Sequence, residues 1–396
     1  MRLRTLRVLR VLCGKIFSMK KNVLQIIGSF HQGGSERQAI QLTRLLHEDK
    51  TFNIFLAALN NEGVLRDEVE RIGLADIPEF RLASFYDLNF LRQLRNCVRF
   101  IRENKIEIVH THDFYTNVFG ITAARLGKVR VKIASKRETS GMRSAMQKKI
   151  EKRIFKAASA VTVNSQAVKN YLLGESVSAG KIRVIYNGLD LERLAPKEID
   201  RRKICENLGL PTDEKIKFIT LVANLRHAVK NQPMFLRMAK TVAEKSPESH
   251  FVLAGEGELR NDLEDLATQY GIKNKTHFIG RCTEVPELLS VSFAGVLTSF
   301  AEGFSNSILE YMAARLPVVT TNVGGAGEAI DENETGFLIE SDDDKKMANR
   351  LIELLENPEK AKVMGERGRK TVEEKFSCAA QLENTLKLYE RKLNER

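Results

Sequence analysis

Short runs of apolar, often β-branched residues alternate through the first half of the chain with longer segments in which apolar residues recur every three or four positions. The short runs predict strands at residues 23–27, 53–58, 106–110, 131–135, 160–163 and 182–185. The longer segments predict helices between them, for example at 36–47, 88–104 and 141–158. Strands that alternate with helices in this way are typical of βαβ units in a parallel sheet.

The alternation stops in a polar stretch after Gly188 and then restarts. It predicts strands at 216–222, 251–254, 276–279, 294–298, 318–321 and 337–339, and helices that include 231–245, 260–270 and 306–313. Beyond the last of these strands the pattern is helical and charged. We therefore predict an α/β protein with two Rossmann-like, doubly wound domains at 19–188 and 189–370, followed by a C-terminal helix at 371–396.

The glycine-rich and polar turns of both halves follow predicted strands. They lie at 28–36 and 111–117 in the first half, and at 224–232 and 255–260 in the second. In doubly wound sheets, ligands bind beyond the carboxyl ends of the strands. We therefore expect all four turns to face one cleft between the domains.

Composition indicates a globular protein with well-formed cores, since 43% of the 396 residues are hydrophobic and 29% are charged. The five cysteines are scattered without a CxxC pair, which predicts a reducing, cytoplasmic location. Residues 1–190 contain 33 Lys and Arg against 17 Asp and Glu, a net charge of +16, whereas the remainder contains 30 against 34, a net charge of −4. This asymmetry favours an anionic partner for the first half, such as membrane phospholipid, a lipid pyrophosphate or nucleic acid; a basic surface that serves only solubility is the alternative.

The first 21 residues include seven basic and no acidic residues. Most of their apolar residues fall on one arc of a helical wheel, as in a helix that lies on an anionic membrane surface, which would attach the protein peripherally to the inner face of the cell membrane. Arginines interrupt every apolar run, which argues against a transmembrane span or a signal peptide. The alternative is that translation begins at Met19, so residues 1–18 are treated as a separate N-terminal extension.

Two pairs of residues at the predicted cleft suit an anionic ligand. Gly33 and Gly34 precede a helix, and glycines at a helix start let the backbone approach a phosphate, although a plain tight turn has the same pattern. Arg226 and Lys230 follow the first strand of the second domain. They are suited to clamping a diphosphate, with solvated loop charge as the alternative.

Metal chemistry is not indicated by the histidine and aspartate clusters. His110 and His112 lack a third ligand at a suitable spacing, so a histidine that bonds a sugar hydroxyl or relays a proton is favoured, with a structural role open for His110. The run 342–344 contains Asp-x-Asp, but a helix is predicted to begin near Lys345. We therefore interpret this run as a helix cap and expect no metal there.

The segment EGFSNSILE places Glu302 after a strongly apolar strand and Glu310 in the first turns of a helix with apolar neighbours. A carboxylate accepts two hydrogen bonds from vicinal hydroxyls, which suits a ribose, and the helix start between the two glutamates suits a phosphate. Together these groups describe a binding site for a nucleotide sugar. Two ordinary surface carboxylates are the alternative.

These segments together resemble the retaining glycosyltransferases of family 4, which have the GT-B fold. The resemblance runs from about Lys21 to the end of the chain. EGFSNSILE matches the Glu-x7-Glu pattern of the family, with the following strand and GGAGE turn in register. VIYNGLD at 184–190 is similar to the hinge segment of the family, and FHQGGSERQ at 30–38 is similar to its N-terminal glycine turn.

The resemblance implies a role for each site residue. Glu310 would bind the donor ribose, and Glu302 would contact the donor sugar near its anomeric centre. Lys230 and Arg226 would neutralise the leaving diphosphate, although Arg226 is out of step with the arginine of the family. His112 would lie at the acceptor side of the cleft. The other donor-binding positions that it implies are Gly34, Gly303, Phe304, Ser305, Arg281 and Cys282.

The implied reaction moves a sugar from a nucleotide diphosphate sugar to an acceptor hydroxyl with retained anomeric configuration and without a metal or other cofactor. The acceptor would be lipid-linked or a saccharide, in cell-envelope, exopolysaccharide or glycolipid synthesis. Two alternatives stay open, a nucleotide-sugar epimerase of the same fold and a non-catalytic nucleic-acid or anion-binding protein. A nucleic-acid partner is not expected, because the chain has no Trp and only 7% aromatic residues with which to stack on bases.

Overall fold

The computed structural model describes residues 20–31, 33–82, 84–85, 87–139 and 143–395. The predicted N-terminal extension at 1–18 and the start of the predicted helix at 141–158 lie outside these ranges. The described residues form two six-stranded sheets with helices between the strands. The prediction of two doubly wound α/β domains is therefore confirmed.

Each predicted strand is present, with ends that differ by at most two residues. The first sheet contains β1 (Asn22–Ile27), β2 (Asn53–Ala58), β3 (Ile106–Thr111), β4 (Val131–Lys136), β5 (Ala160–Val163) and β6 (Ile182–Val184). The second contains β7 (Lys217–Val222), β8 (Ser249–Ala254), β9 (Thr276–Gly280), β10 (Ser292–Leu297), β11 (Val318–Thr321) and β12 (Gly336–Ile339). Most of these strands are buried along nearly their whole length, because helices cover both faces of each parallel sheet.

The helices follow the strands in turn. Those that belong to the first half are α1 (Gly34–Asp49), α2 (Arg66–Glu70), α3 (Leu88–Glu103), α4 (Phe114–Leu126), α5 (Ala145–Ala157) and α6 (Gln166–Gly174). Those of the second half are α7 (Arg201–Leu208), α8 (Gln232–Lys245), α9 (Arg260–Gln269), α10 (Val285–Val291), α11 (Asn306–Ala313), α12 (Ala326–Ala329), α13 (Asp344–Glu356), α14 (Pro358–Lys375) and α15 (Cys378–Asn394). In the part of the chain that the structure describes, no helix combines the length and the apolar character that crossing a bilayer requires.

The strand orders place one switch point in each sheet. They are β2-β1-β3-β4-β5-β6 in the first sheet and β12-β11-β10-β7-β8-β9 in the second, with parallel pairing throughout. The chain reverses its direction of winding between β1 and β3 in the first sheet and between β7 and β10 in the second. Crevices at these points are where doubly wound sheets bind ligands.

The polar turn predicted at 111–117 is too long, because α4 begins inside it. The Asp113 carboxylate accepts hydrogen bonds from the backbone N–H groups of Tyr115 and Thr116, at 2.8 and 2.9 Å. The Thr116 hydroxyl in turn accepts from the Asp113 N–H at 2.9 Å, which completes a capping box. The polar residues that suggested a turn are therefore the cap of a helix whose later residues are apolar.

The chain crosses between the domains twice, and the two crossings lie side by side. The Leu189 N–H donates to the Phe376 carbonyl at 2.8 Å, and the Cys378 N–H donates to the Leu189 carbonyl at 3.3 Å. After the second crossing, α15 packs against the first domain, where Tyr389 is fully buried and meets the Phe52 ring edge-on at 5.6 Å. The last helix thus completes the core of the first domain.

Candidate active site between the two domains

The ends of the two sheets at their switch points face each other closely. A Cβ atom on Gly34, the first residue of α1, would lie 3.7 Å from the side-chain amide of Asn306, the first residue of α11. A Cβ atom on Gly303 would lie 1.8 Å from the carbonyl oxygen of Arg137, which follows β4. Any side chain at position 303 would therefore push the domains apart. The predicted cleft is present, and glycine is required at position 303, where its walls touch.

Lys230 and Glu302 meet at the carboxyl end of the second sheet. Lys230 follows β7 and Glu302 follows β10, and their Nζ and Oε1 atoms are 2.5 Å apart. The Ser299 hydroxyl donates to the same carboxylate oxygen at 2.7 Å, and the Thr298 hydroxyl holds the Lys230 carbonyl at 2.9 Å. Both charged side chains retain some exposure, 20% for Lys230 and 14% for Glu302. The pair is thus fixed in place and still open to a ligand.

Arg226 does not join this pair. Its guanidinium lies 3.1 Å from the Glu256 carboxylate, and about half of each side chain is exposed. A pair as exposed as this is weakly held, so Arg226 is free to change partners at low cost. Its assignment to the diphosphate stays a prediction.

Glu310 is buried at the interface and pairs with a residue of the first domain. Only 3% of its side chain is exposed, and its Oε1 atom lies 3.1 Å from Nη2 of Arg37 in α1. The Arg37 side chain is 47% exposed, so the arginine end of the pair faces solvent while the glutamate end is buried. The sequence pointed to Glu310 but not to its cationic partner.

The starts of α1 and α11 both leave backbone N–H groups without a side-chain cap. The residue before α1 is Gly33, which has no side chain, and the residue before α11 is Ser305, whose hydroxyl makes no capping bond. A Cβ atom on Gly33 would lie 2.0 Å from a carboxylate oxygen of Glu36, so the Glu36 carboxylate folds back over the start of its own helix. Burial raises the pKa of Glu36. The start of α11 provides the partial positive charge that attracts an anion, whereas at the start of α1 the Glu36 carboxylate already uses part of that charge.

Phe304 anchors the loop that carries this helix start. Its ring is buried and lies between the rings of Tyr186 and Phe376, with centroids at 5.3 and 5.2 Å. The two aromatic partners belong to the two interdomain crossings. The position of the loop is therefore tied directly to the hinge.

Asn187 connects the two domains beside this loop. Its side-chain N–H group donates to the Asn306 side-chain carbonyl at 2.8 Å and to the Phe304 carbonyl at 3.3 Å, while its own carbonyl accepts from Arg137 at 2.8 Å. Burial lowers the pKa of Arg137 to about 10, although the carboxylates of Glu36 and Asp113 oppose the change. Arg137 thus lies among the groups of the first domain that face the loop.

His112 is buried inside the first domain. Its Nε2 atom lies 2.8 Å from the Gln25 side-chain carbonyl, and its Nδ1 atom has no partner among the described residues. Its ring packs on His110, with centroids 4.6 Å apart. Burial lowers the pKa of His112 well below its usual value, so the ring is neutral. A contact between His112 and the acceptor stays a prediction.

His110 is a structural histidine. Its two ring nitrogens lie 2.8 Å from the Tyr389 hydroxyl and 3.0 Å from the Ser135 hydroxyl. Gln25 also donates to the Tyr389 hydroxyl at 2.8 Å, which joins both histidines and α15 in one network. Burial lowers the pKa of His110 to about 3. Of the two interpretations left open for His110, the structural one holds.

Arg281 and Cys282 follow β9, two strands away from the switch point of the second sheet. Arg281 is exposed, whereas Cys282 is partly buried and packs against the smaller core of this domain. Burial raises the pKa of the Cys282 thiol to about 11, so it is protonated. A contact of these two residues with the base of the donor stays a prediction.

The acidic run at 342–344 caps a helix, as predicted. The Asp343 carboxylate accepts from the Lys346 N–H at 2.9 Å, and Asp342 and Asp344 both pair with Arg237. Among the described residues, no cluster of three or more His, Cys, Asp or Glu side chains is suited to a metal ion. Asp343 thus caps α13, and Asp342 and Asp344 join the start of this helix to Arg237 of α8.

A second carboxylate joins the domains on the other side of the glycine turn. Glu328 accepts from the backbone N–H groups of Gln166 and Ala167 at the start of α6, at 2.7 and 2.9 Å, and from the Tyr186 hydroxyl at 2.9 Å. A carboxylate at a helix start is favourable. Sequence reasoning missed this contact, along with those of Arg37, Arg137 and Asn187, because each depends on a residue in the other domain or far along the chain.

Two family models match this chain. A model described as "Glycosyltransferase Family 4" matches residues 32–193, and one described as "Glycosyl transferases group 1" matches residues 201–371. The two matches cover both domains. The chain belongs to glycosyltransferase family 4. It is a glycosyltransferase, and the resemblance drawn from the motifs is confirmed.

Two curated relatives show the range of this family. The chain is 29% identical over 338 residues to an Escherichia coli "UDP-Gal:alpha-D-GlcNAc-diphosphoundecaprenol alpha-1,3-galactosyltransferase", covering 82% of this glycosyltransferase and 85% of the relative. It is 32% identical over 214 residues to an "N-acetyl-alpha-D-glucosaminyl L-malate synthase" of Bacillus anthracis, covering 53% and 55% of the two chains. The first name contains a sugar linked to diphosphoundecaprenol, and the second contains L-malate.

Solved structures support the GT-B fold. The glycosyltransferase superposes on Anabaena Alr3699/HepE in complex with UDP with a TM-score of 0.82 at 19% identity, covering 94% of this chain and 100% of the other. It superposes on a glycosyltransferase from Rickettsia africae with a TM-score of 0.81 at 21% identity, covering 96% and 100%. At these identities the likeness establishes the fold alone.

Proposed function

We propose that this enzyme transfers a sugar, with retention, from a nucleotide diphosphate sugar to a lipid-linked or saccharide acceptor in the synthesis of a cell-envelope or exported polysaccharide or of a glycolipid. The observation that carries the proposal is the Lys230–Glu302 pair beside the uncapped start of α11, one helix turn from the buried Glu310 carboxylate. A cation, a helix start and a buried carboxylate are what a diphosphate joined to a ribose requires.

In this proposal the donor lies along α11. Its ribose hydroxyls donate to Glu310, and its diphosphate accepts hydrogen bonds from Lys230 and from the N–H groups at the start of the helix. Glu302, released from Lys230, then accepts hydrogen bonds from the donor sugar. Uracil is the base we favour, because the Escherichia coli relative is named for UDP-galactose and the Anabaena neighbour was solved with UDP.

Stabilisation of the leaving diphosphate is the catalytic step that these residues suit best. Negative charge grows on the diphosphate as the glycosidic bond breaks, and a preorganised cation and helix dipole stabilise it without reorganisation. We propose that Lys230, Arg226 and the helix starts supply this charge in place of a metal ion. The corresponding test is full transfer activity after dialysis against EDTA, with no gain when magnesium or manganese is restored.

Retention is proposed to follow from attack on the same face that the diphosphate leaves. Glu302 is the carboxylate that the motif assigns to the region of the anomeric centre. It is paired with Lys230 and Ser299 rather than presented as a nucleophile. The proton of the acceptor hydroxyl would then go to the departing phosphate oxygen. Proton NMR of the first product formed from an α-linked donor tests this, because an α-linked product is expected and a β-linked one contradicts it.

The acceptor and the membrane are proposed from the surface of the first domain. Along α3 and the end of α4, the apolar side chains of Leu88, Leu91 and Leu126 are 83%, 49% and 52% exposed. Four arginines of α3 are exposed among them, at positions 92, 95, 99 and 102. Exposed leucines beside arginines suit the headgroup region of an anionic leaflet, to which each basic residue contributes about 1 kcal/mol. An acceptor linked to a lipid would be presented there.

Transfer and membrane contact are tested separately. Radiolabelled UDP-sugars with membrane extract should give label in lipid or polymer, whereas a converted free nucleotide sugar would favour the epimerase alternative. Flotation with vesicles of anionic phosphatidylglycerol should retain the protein, and vesicles of phosphatidylcholine should not. The double variant L88Q/L91Q should float less well, while the matched variant I199Q/V363Q, which replaces exposed apolar residues of the second half, should float like the parent. Equal flotation of both variants contradicts the assignment of this surface.

A further inference from the structure

The ion pair between Arg37 and Glu310 occupies the place that the proposed function gives to the donor ribose. Glu310 is buried and reaches the guanidinium with Oε1, at 3.1 Å from Nη2. The two residues belong to different domains, α1 of the first and α11 of the second. A ribose diol that donates to this carboxylate must therefore displace the arginine or share the carboxylate with it.

A buried carboxylate needs a partner at every stage. Removing the cation without replacement would leave Glu310 charged and unpaired, which is costly. Two ribose hydroxyls can replace the guanidinium, because each donates one hydrogen bond to a carboxylate oxygen. The exchange is then nearly balanced for Glu310, whereas Arg37 is left without its partner.

The position of Arg37 determines its next partner. It lies one turn along α1 from Gly34, and Gly34 faces Asn306 at the start of α11, where the proposed diphosphate lies. Residues three apart on a helix share a face. A released Arg37 is therefore within the region of the diphosphate, and an arginine fork can take two phosphate oxygens at once.

We infer that Arg37 is a donor-binding residue that changes partners when the donor binds, from the Glu310 carboxylate to the donor diphosphate. The inference rests on the proposed donor site and adds a first-domain cation to it. A complete donor replaces both halves of the ion pair, because it brings hydroxyls for Glu310 and phosphates for Arg37. A nucleoside without phosphates takes the carboxylate from Arg37 and offers the arginine nothing.

This exchange predicts opposite effects of one substitution on two ligands. In Arg37→Gln the charge is absent, so the diphosphate loses a cation while the nucleoside loses a competitor. We expect the Kd of the diphosphate to rise at least about tenfold, since hydrogen bonds between charged groups are of that strength, and the Kd of the nucleoside to fall or stay the same. A residue that merely holds the fold would weaken both ligands together.

The experiment measures both Kd values by calorimetry, with displacement titrations for the weaker ligand. UDP, GDP, ADP and dTDP are first ranked by thermal shift on the parent enzyme, and the best diphosphate and its nucleoside are then the probes. Arg37→Lys, which keeps the charge but not the fork, should recover part of the diphosphate affinity. Arg44→Gln is the matched control, because Arg44 is also in α1 and pairs with Asp190 beyond the hinge, at 2.6 Å. It should shift both Kd values by the same factor.

Three results are decisive. A ratio of nucleoside to diphosphate Kd that shrinks in Arg37→Gln and not in Arg44→Gln supports the exchange. An unchanged ratio in Arg37→Gln, with a parent enzyme that binds the diphosphate, overturns the exchange and leaves the proposed function standing. A parent enzyme that binds none of the four diphosphates overturns the proposed donor site and the exchange together.

Discussion

On the first domain's side of the cleft, a network of buried polar groups is joined by neutral hydrogen bonds, whereas on the second domain's side a lysine and a glutamate form an ion pair that solvent reaches. His110, His112 and Gln25 form the first arrangement, with Tyr389 of the last helix. Lys230 and Glu302 form the second. Hydrogen bonds between buried neutral groups hold one geometry, because breaking such a bond leaves a polar atom unpaired. Partly open ion pairs exchange partners at lower cost. The neutral network thus holds the shape of the cleft, whereas the Lys230–Glu302 pair supplies charge that a ligand can redirect.

Lys230→Ala removes the charge from the second side and is expected to have the largest effect. If Lys230 stabilises the leaving diphosphate, kcat should fall by about a hundredfold to a thousandfold, which is the usual loss for one electrostatic donor. Initial rates with saturating donor measure this. A variant that turns over normally would mean that the pair with Glu302 is only structural.

Glu310→Ala tests the carboxylate that both sides share. The variant loses the acceptor for the ribose hydroxyls, and donor KM should rise by about tenfold to a hundredfold, because hydrogen bonds to a charged group are at stake. Glu383, an exposed glutamate in α15, provides the matched control as Glu383→Ala, whose donor KM should be unchanged. Equal KM values for the two variants would place the ribose elsewhere.

The buried histidines of the first side predict acid sensitivity of folding. The folded pKa of His110, about 3, lies below the unfolded value near 6.5, so the unfolded chain binds a proton first as the pH falls. The contribution of His110 to the free energy of unfolding is complete above about pH 6.5 and is lost as the pH falls toward 3. At pH 5.5 the loss for this one group is about 1.4 kcal/mol. Urea unfolding at pH 7.5 and pH 5.5 should show that loss, and His110→Gln should show a smaller difference between the two pH values. An equal difference in the free energy of unfolding between the two pH values in both proteins would contradict a neutral buried His110.

Arg226→Ala should have the smallest effect of the four. Because this arginine is half exposed and paired with Glu256, its contribution to the free energy of the bound donor should stay within about 1 kcal/mol, or roughly fivefold in kcat/KM. A loss as large as that of Lys230→Ala would show that Arg226 stabilises the diphosphate as strongly as Lys230 does.

Elements and motifs were predictable from the sequence because their signals are local. The strand that ends before Glu302, the spacing from Glu302 to Glu310 and the cap at Asp343 each depend on a few neighbouring residues. The turn after β3 was misjudged because Asp113 and Thr116 suit a turn and a helix cap equally well. Arg37 and Glu328 could not be found in this way. Their partners lie 273 and 142–162 residues away, and only the apposition of the domains brings them together.

The return of the chain to the first domain has a consequence for how this enzyme can be divided. Cutting it once, near residue 190, would not yield two independent halves. The helix that follows Phe376 would stay with the second domain, although it packs against the first. An N-terminal fragment would lack Tyr389 and expose the histidines that it covers. A bulky fusion or a short deletion at the C-terminus should therefore disturb the first domain, although most of the sequence separates that domain from the last helix.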